Sequence, residues 1–161
     1  MLFFTSDTHF FHGNIIKYCN RPYSNVIEMN YAIIDKWNSV VAPSDTVYHL
    51  GDFNFGGKSR TKECLDLLNG NKILIKGNHD FSAEWMQQSG FKEVYNEYTL
   101  NTDFGEIFLK HHPSPKTQWD SAEYHFCGHV HEKWKRDGNM INVGVDVWDY
   151  TPRTIEELLA C

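Results

Sequence analysis

Residues Leu2–His9 read Leu-Phe-Phe-Thr-Ser-Asp-Thr-His, a short apolar run that turns abruptly into polar, metal-competent side chains. The apolar half has the length and aromatic content of a buried strand. The polar half lies just past its carboxyl end, where ligand sites form in open α/β sheets. The same arrangement recurs along the chain. Thr46–Leu50 is followed by Gly51-Asp52, and Lys72–Lys76 by Gly77-Asn78-His79-Asp80. Farther on, Glu106–Lys110 runs into His111-His112-Pro113, and Tyr124–Cys127 into Gly128-His129-Val130-His131. Five strand candidates thus end in five chemistry-bearing loops, and one pocket is their expected meeting place.

Helical patterns separate the early strands. Val26, Met29, Ile33, Trp37 and Val40 recur at helical spacing, with Asn25 and Glu28 placed as a capping box. A second helix is expected over Arg60–Asn69 with Gly70 as its C′ residue, and a shorter one from Ser82 to Gly90. The second half is richer in strands: Val94–Leu100 and Met140–Val145 join the two already named, with turns at Asp103–Gly105 and Asp137–Asn139. A last helix starts at Thr154, where Glu157 completes a capping box. An α/β first half and a strand-rich second half predict two packed sheets with helices outside. No repeat, linker or low-complexity stretch divides the sequence, so a single domain over residues 1–161 is expected.

Composition narrows the function classes. The chain has 161 residues and a formal charge of −6, which argues against stable binding of nucleic acid through many phosphate contacts. Its four cysteines, Cys19, Cys64, Cys127 and Cys161, form no Cys-x-x-Cys pair and suit free thiols in a reducing compartment. The amino terminus lacks the basic segment of a signal peptide, and no apolar run reaches the ~18–20 residues of a membrane span. A cytoplasmic protein without membrane attachment is the expectation. Histidine is the unusual count, at nine residues.

The residue types in the five loops point to metal chemistry. A lone Asp-x-His or Gly-Asp is common in surface turns; the succession of all five motifs, each after a strand, carries the reading. At the end of an extended segment, residues i and i+2 point the same way, so Asp7 with His9, and His129 with His131, are each expected to face one centre. Imidazoles, carboxylates and one amide oxygen, without thiolate, suit divalent ions such as Mn²⁺, Fe²⁺ or Zn²⁺. The set is too large for one tetrahedral zinc, whereas two ions sharing a carboxylate would use it fully.

The series Asp7-x-His9, Gly51-Asp52, Gly77-Asn78-His79-Asp80, His111 and Gly128-His129-x-His131 resembles the calcineurin-like metallophosphoesterase superfamily. The flanking stretches Ser6–Ile16, Tyr18–Pro22 and Asn142–Pro152 are similar to its small stand-alone bacterial and viral members, so the likeness covers nearly the whole chain. The resemblance implies an α/β fold, a four-layer α-β-β-α sandwich of two mixed sheets flanked by helices. It implies two divalent metal ions, with Mn²⁺ expected first and Fe²⁺, Zn²⁺, Ni²⁺ or Mg²⁺ as alternatives. By position, Asp7, His9 and His131 would bind one ion, Asn78, His111 and His129 the other, and Asp52 would bridge them. His111 rather than the adjacent His112 is the expected ligand. His79 resembles the family's general acid, and a hydroxide held between the metals would attack phosphorus in line.

Other roles are softer. Asp80 is expected either to orient His79 or to cap the helix near Ser82. His12 and Asn14 are candidate substrate contacts. Arg21 offers either a bidentate phosphate contact or a structural bond within its own turn. Trp148 and Tyr150 suit base stacking or core packing, and His49 and His125 read as core histidines. The function implied is a metal-dependent phosphoesterase acting on a phosphodiester or phosphomonoester, with a small phosphoester or nucleotide as partner. The rival readings are a non-catalytic protein-binding scaffold of the same fold and a nuclease that processes nucleic-acid ends.

Overall fold

A computed structural model describes residues 1–161. The first sheet contains β1 (Leu2–Thr5), β2 (Thr46–His49), β3 (Asn71–Ile75) and β4 (Glu93–Tyr95), in that spatial order. Its strands are all parallel, and parallel neighbours require a crossover. The crossovers are α1 (Ile15–Tyr18) with α2 (Val26–Val40), then α3 (Gly57–Leu67), then α4 (Ala83–Ser89). The second sheet holds β5 (Glu97–Thr102), β6 (Gly105–Lys110), β7 (Tyr124–Cys127), β8 (Arg136–Asp137) and β9 (Met140–Asn142), in the order β5-β6-β7-β9-β8. It is parallel at its centre and antiparallel at both edges. Of the two sheets expected to be mixed, then, only the second is.

Strand alternation assigns each apolar side chain to a layer. Phe3, Val47 and Leu74 face outward and pack with Met29, Ile33 and Trp37 of α2, Cys64 and Leu65 of α3, and Met86 of α4. Their neighbours Phe4, Tyr48, Ile73 and Ile75 face inward and meet Ile107, Leu109, Phe126 and Ile141 from the second sheet. Each such buried side chain contributes roughly 1.5–3 kcal/mol relative to exposure, so the inter-sheet layer anchors the strand ends on which the site is built.

The α-β-β-α layering is present, with a thin fourth layer. The outer face of the second sheet is covered around Phe108 by Trp119 and Ala122, beside the 3₁₀ turn Lys116–Gln118. Helix α5 (Ile155–Leu159) instead sends Ile155 and Leu158 into the inter-sheet cluster. Its capping box between Thr154 and Glu157 forms as expected. At α2, Asn25 accepts from Glu28 N, but the Glu28 carboxylate reaches past the cap to Ser24 N. Helix α3 starts earlier than expected and ends at Leu67, so its C-cap is Leu68 and Gly70 belongs to the turn beyond.

Val94–Leu100, expected as one strand, is two. It breaks at Asn96, with β4 pairing to β3 in the first sheet and β5 to β6 in the second. Local alternation reports extended backbone but not the partner strand, so a change of sheet within one run is invisible to it.

Candidate metal centre

The loops after β1, β2, β3, β6 and β7 open at the same end of the two sheets and bring the seven expected donors together. His9 Nε2 lies 3.9 Å from Asp7 Oδ1 and 3.7 Å from Asp52 Oδ2. His131 Nε2 lies 3.9 Å from Asp7 Oδ1. On the other flank, His111 Nε2 lies 3.4 Å from the same Asp52 Oδ2 and 3.0 Å from Asn78 Oδ1. The His129 ring stands 5.3 Å from the His111 ring. The donors thus form two groups that meet on Asp52 Oδ2.

The backbone route to this geometry differs from the expected one. Asp7, His9, Asp52, His129 and His131 all have left-handed backbone, with φ of 57°, 50°, 56°, 69° and 49°. Kinks at the strand ends, rather than extended alternation, turn both members of each pair inward. Such conformations cost of order 1 kcal/mol or more each and persist where the surroundings over-determine them. The packing here does so. A Cβ on Gly77 would strike the Asp52 carboxylate, and one on Gly51 would come within 2.6 Å of His111 Nδ1.

Fixed hydrogen bonds orient four of the seven donors, turning one atom of each toward the centre. Ser6 Oγ and His129 N donate to Asp7 Oδ2, at 2.6 and 3.0 Å, leaving Oδ1. His79 N donates to Asp52 Oδ1 at 2.9 Å, leaving Oδ2. His111 Nδ1 lies 2.6 Å from Leu50 O; a carbonyl only accepts, so Nδ1 carries hydrogen and Nε2 faces inward. Asp146 orients His131 in the same way, with Oδ2 accepting from Nδ1 at 3.0 Å.

Asp7 Oδ1 and His9 Nε2 are buried without a hydrogen-bond partner. Orphaned buried polar atoms are costly, and a cation satisfies both at once. Carboxylate, imidazole and amide donors in this arrangement therefore fit divalent metal.

Titration follows the same geometry. Burial pushes His9 down to about 2. Burial, with His112 and His111 nearby, pushes His129 down to about 4. Burial opposes the charged form of His111 as well, but Asp52 and Asp7 overcome it and raise the imidazole to about 9. For His131, burial is likewise overcome, by the Asp146 hydrogen bond above all, and the group rises to about 10. Burial would raise Asp52, yet the His111 hydrogen bond and charge hold its carboxyl well below the ordinary range.

Two further expectations are corrected, those for Arg21 and Asp80. Arg21 does not reach toward a substrate: its side chain is fully buried, pairs with Asp146 at 2.9 Å, and donates to Asp7 O and Thr8 O. With its donors spent, it braces the β1 loop and the carboxylate behind His131. The Asp80 carboxylate makes no hydrogen bond to the His79 ring and does not cap α4, whose cap is Ser82. Its carboxylate accepts from Asp52 N, Phe53 N and Gly77 N at 2.8, 3.0 and 2.7 Å, tying the β2 and β3 loops together. Asn14 is exposed at the start of α1 and makes no side-chain cap bond. His12 does line the open side of the site, and its Nδ1 is 3.2 Å from His9 Nδ1.

The remaining histidines divide by burial. His111 is buried and His112 exposed, with the His112 ring 4.1 Å from His129. His79 is exposed at the rim, 5.1 Å from the Phe55 ring. His49 accepts from Gly51 N and bonds Thr8 Oγ1, and His125 accepts from Ser114 N, so both are satisfied core residues. Trp148 and Tyr150 are buried in the packing clusters. Asp146 is the residue that sequence reasoning missed; no spacing signal links it to Arg21, 125 positions away.

The family model of calcineurin-like phosphoesterases matches residues 2–148. The chain belongs to that family. A Methanocaldococcus jannaschii protein, the uncharacterized MJ1445, is 41% identical over 165 residues, spanning 96% of this chain and 87% of the relative. Among solved structures, AQ665 of Aquifex aeolicus, a protein of unknown function, superposes with TM-score 0.80 at 29% identity, covering 99% of this phosphoesterase-family chain and 98% of its own. A novel archaeal phosphodiesterase superposes with TM-score 0.50 at 19% identity, covering 89% and 81%, and shares the fold. No helix of this family member is long and apolar enough to cross a membrane.

Proposed function

We propose that the protein is a hydrolase that cleaves a small or nucleotide-like phosphodiester or phosphomonoester with two divalent metal ions, manganese first among them. The observation that carries this reading is the pair of donor groups meeting on Asp52 Oδ2, between His9 Nε2 and His111 Nε2. When bound, such ions acidify water toward neutral pKa and neutralise phosphoryl oxygens.

The chain's own residues supply the rest. Asp7, His9 and His131 would hold one ion and Asn78, His111 and His129 the other, with Asp52 contributing to both. Asp146 and Leu50 O orient His131 and His111, presenting Nε2 of each. His79, on the open rim and next in sequence to Asn78, would protonate the departing oxygen from an imidazole nitrogen. His12, against His9, faces the same space.

Protein loaded with Mn²⁺, its metal content verified, is expected to hydrolyse p-nitrophenyl phosphate or bis-p-nitrophenyl phosphate. His79→Ala should lower kcat by roughly 10²–10⁴ with the metal retained. Absence of turnover on both mono- and diesters after verified loading would overturn the proposal.

A further inference from the structure

Beside His9 and His131 opens a cavity of about 460 Å³, within the range of small-molecule sites. Two of its walls are aromatic and exposed. Phe55, in the loop after Asp52, is 40% exposed, yet its ring stacks on His12 with centroids 4.1 Å apart and planes at 25°. It also rests against His9 at 5.4 Å, which places its face next to the metal donors. Tyr18, the last residue of α1, is 69% exposed and meets His12 edge-on at 6.2 Å and 71°. Neither ring belongs to a buried cluster.

Two exposed rings at the mouth of a polar site offer stacking surface to a ligand held there. Here the two rings are held apart by His12, with Lys133 and Glu132 lining the same cavity. A phosphoryl group at the donors would project its substituent into this space. An aliphatic substituent would gain only the area it buries against a ring. A flat aromatic one would stack, and base stacking on aromatic side chains is a substantial, sequence-tolerant source of affinity.

We propose that this cavity seats a nucleobase carried by the phosphoester, stacked on Tyr18 with Phe55 flanking its edge, and that Tyr18 is a specificity-determining residue. The inference rests on the phosphoesterase reading for its substrate, but its binding test does not depend on turnover.

Isothermal titration of the Mn²⁺-loaded protein compares AMP with ribose 5-phosphate, which share the phosphate and the sugar but differ in the base. AMP is expected to bind roughly tenfold tighter. Tyr18→Leu should bring that ratio to within about twofold, while Tyr18→Phe keeps it because a ring face suffices. A wild-type ratio within twofold, no AMP binding at millimolar concentration, or a ratio unchanged in Tyr18→Leu each overturns the proposal. The same preparations are assayed with p-nitrophenyl esters. Turnover without a base preference removes the nucleobase slot alone; a base preference without turnover removes the phosphoesterase reading alone.

Discussion

Replacing Asp80 by Asn tests whether the site is held together from behind by one carboxylate. Asp80 Oδ2 accepts from Asp52 N and Gly77 N, and Oδ1 accepts from Phe53 N. Asparagine has nearly the same shape but only one accepting oxygen. If that oxygen keeps the two bonds at the Oδ2 position, the amide NH₂ faces Phe53 N, donor against donor. One charge-assisted bond is lost, worth about 1.5–3 kcal/mol, and a buried N–H is left unpaired. Relief from burying a charge offsets part of this, since burial already raises the Asp80 pKa. A net loss of about 2 kcal/mol is expected.

With a urea m-value near ~2 kcal/mol/M, that loss moves the midpoint of the metal-free protein down by about 1 M. The second readout is metal affinity. Asp52 is the carboxylate both donor groups share, and loosening its loop should weaken Mn²⁺ binding by roughly 10–100-fold, as for other groups that orient ligands. Urea unfolding followed by circular dichroism and Mn²⁺ titration by calorimetry measure the two effects. An Asp80→Asn protein within about 0.5 kcal/mol of wild type and with unchanged Mn²⁺ affinity would refute the clamp.

Two further outcomes follow from the same geometry. Arg21→Met keeps most of the buried volume but leaves Asp146 with His131 as its remaining charged partner and removes the donors to Asp7 O and Thr8 O, so it should cost about 1.5–3 kcal/mol in thermal or urea unfolding, and a loss below about 1 kcal/mol would refute the brace. At pH 7.5 the metal-free protein should hold protons on His111, raised to about 9, and on His131, raised to about 10. Metal needs both lone pairs, so loading should release about two protons and affinity should rise with pH between 6 and 9. Calorimetry in buffers of different ionisation enthalpy counts them, and release near zero would contradict protonated His111 and His131.

The parts of the molecule that depend on neighbours in sequence were legible without coordinates. Leu2–Thr5, Thr46–His49 and Tyr124–Cys127 announce themselves by composition, and Thr154 with Glu157 by spacing, because a strand's pleat and a helix's first turn are built from residues a few positions apart. The seven candidate donors are brought into one pocket for a related reason. Each sits within a few residues of a strand end, and the family resemblance orders them.

Long-range partners set everything else. Sequence places Arg21 beside a substrate phosphate or in its own turn; the fold carries it to Asp146, far away along the chain, because buried charge needs a partner and that carboxylate is within reach. Asp80 reads as a helper of its neighbour His79, but three backbone N–H groups from two loops claim it first. Likewise the run Val94–Leu100 reads as one strand, and only pairing with β3 and β6 divides it between sheets. Residue type and spacing state what a side chain is able to do. Which of those things it does depends on the nearest unsatisfied charge or hydrogen bond, and folding brings that partner from elsewhere in the chain.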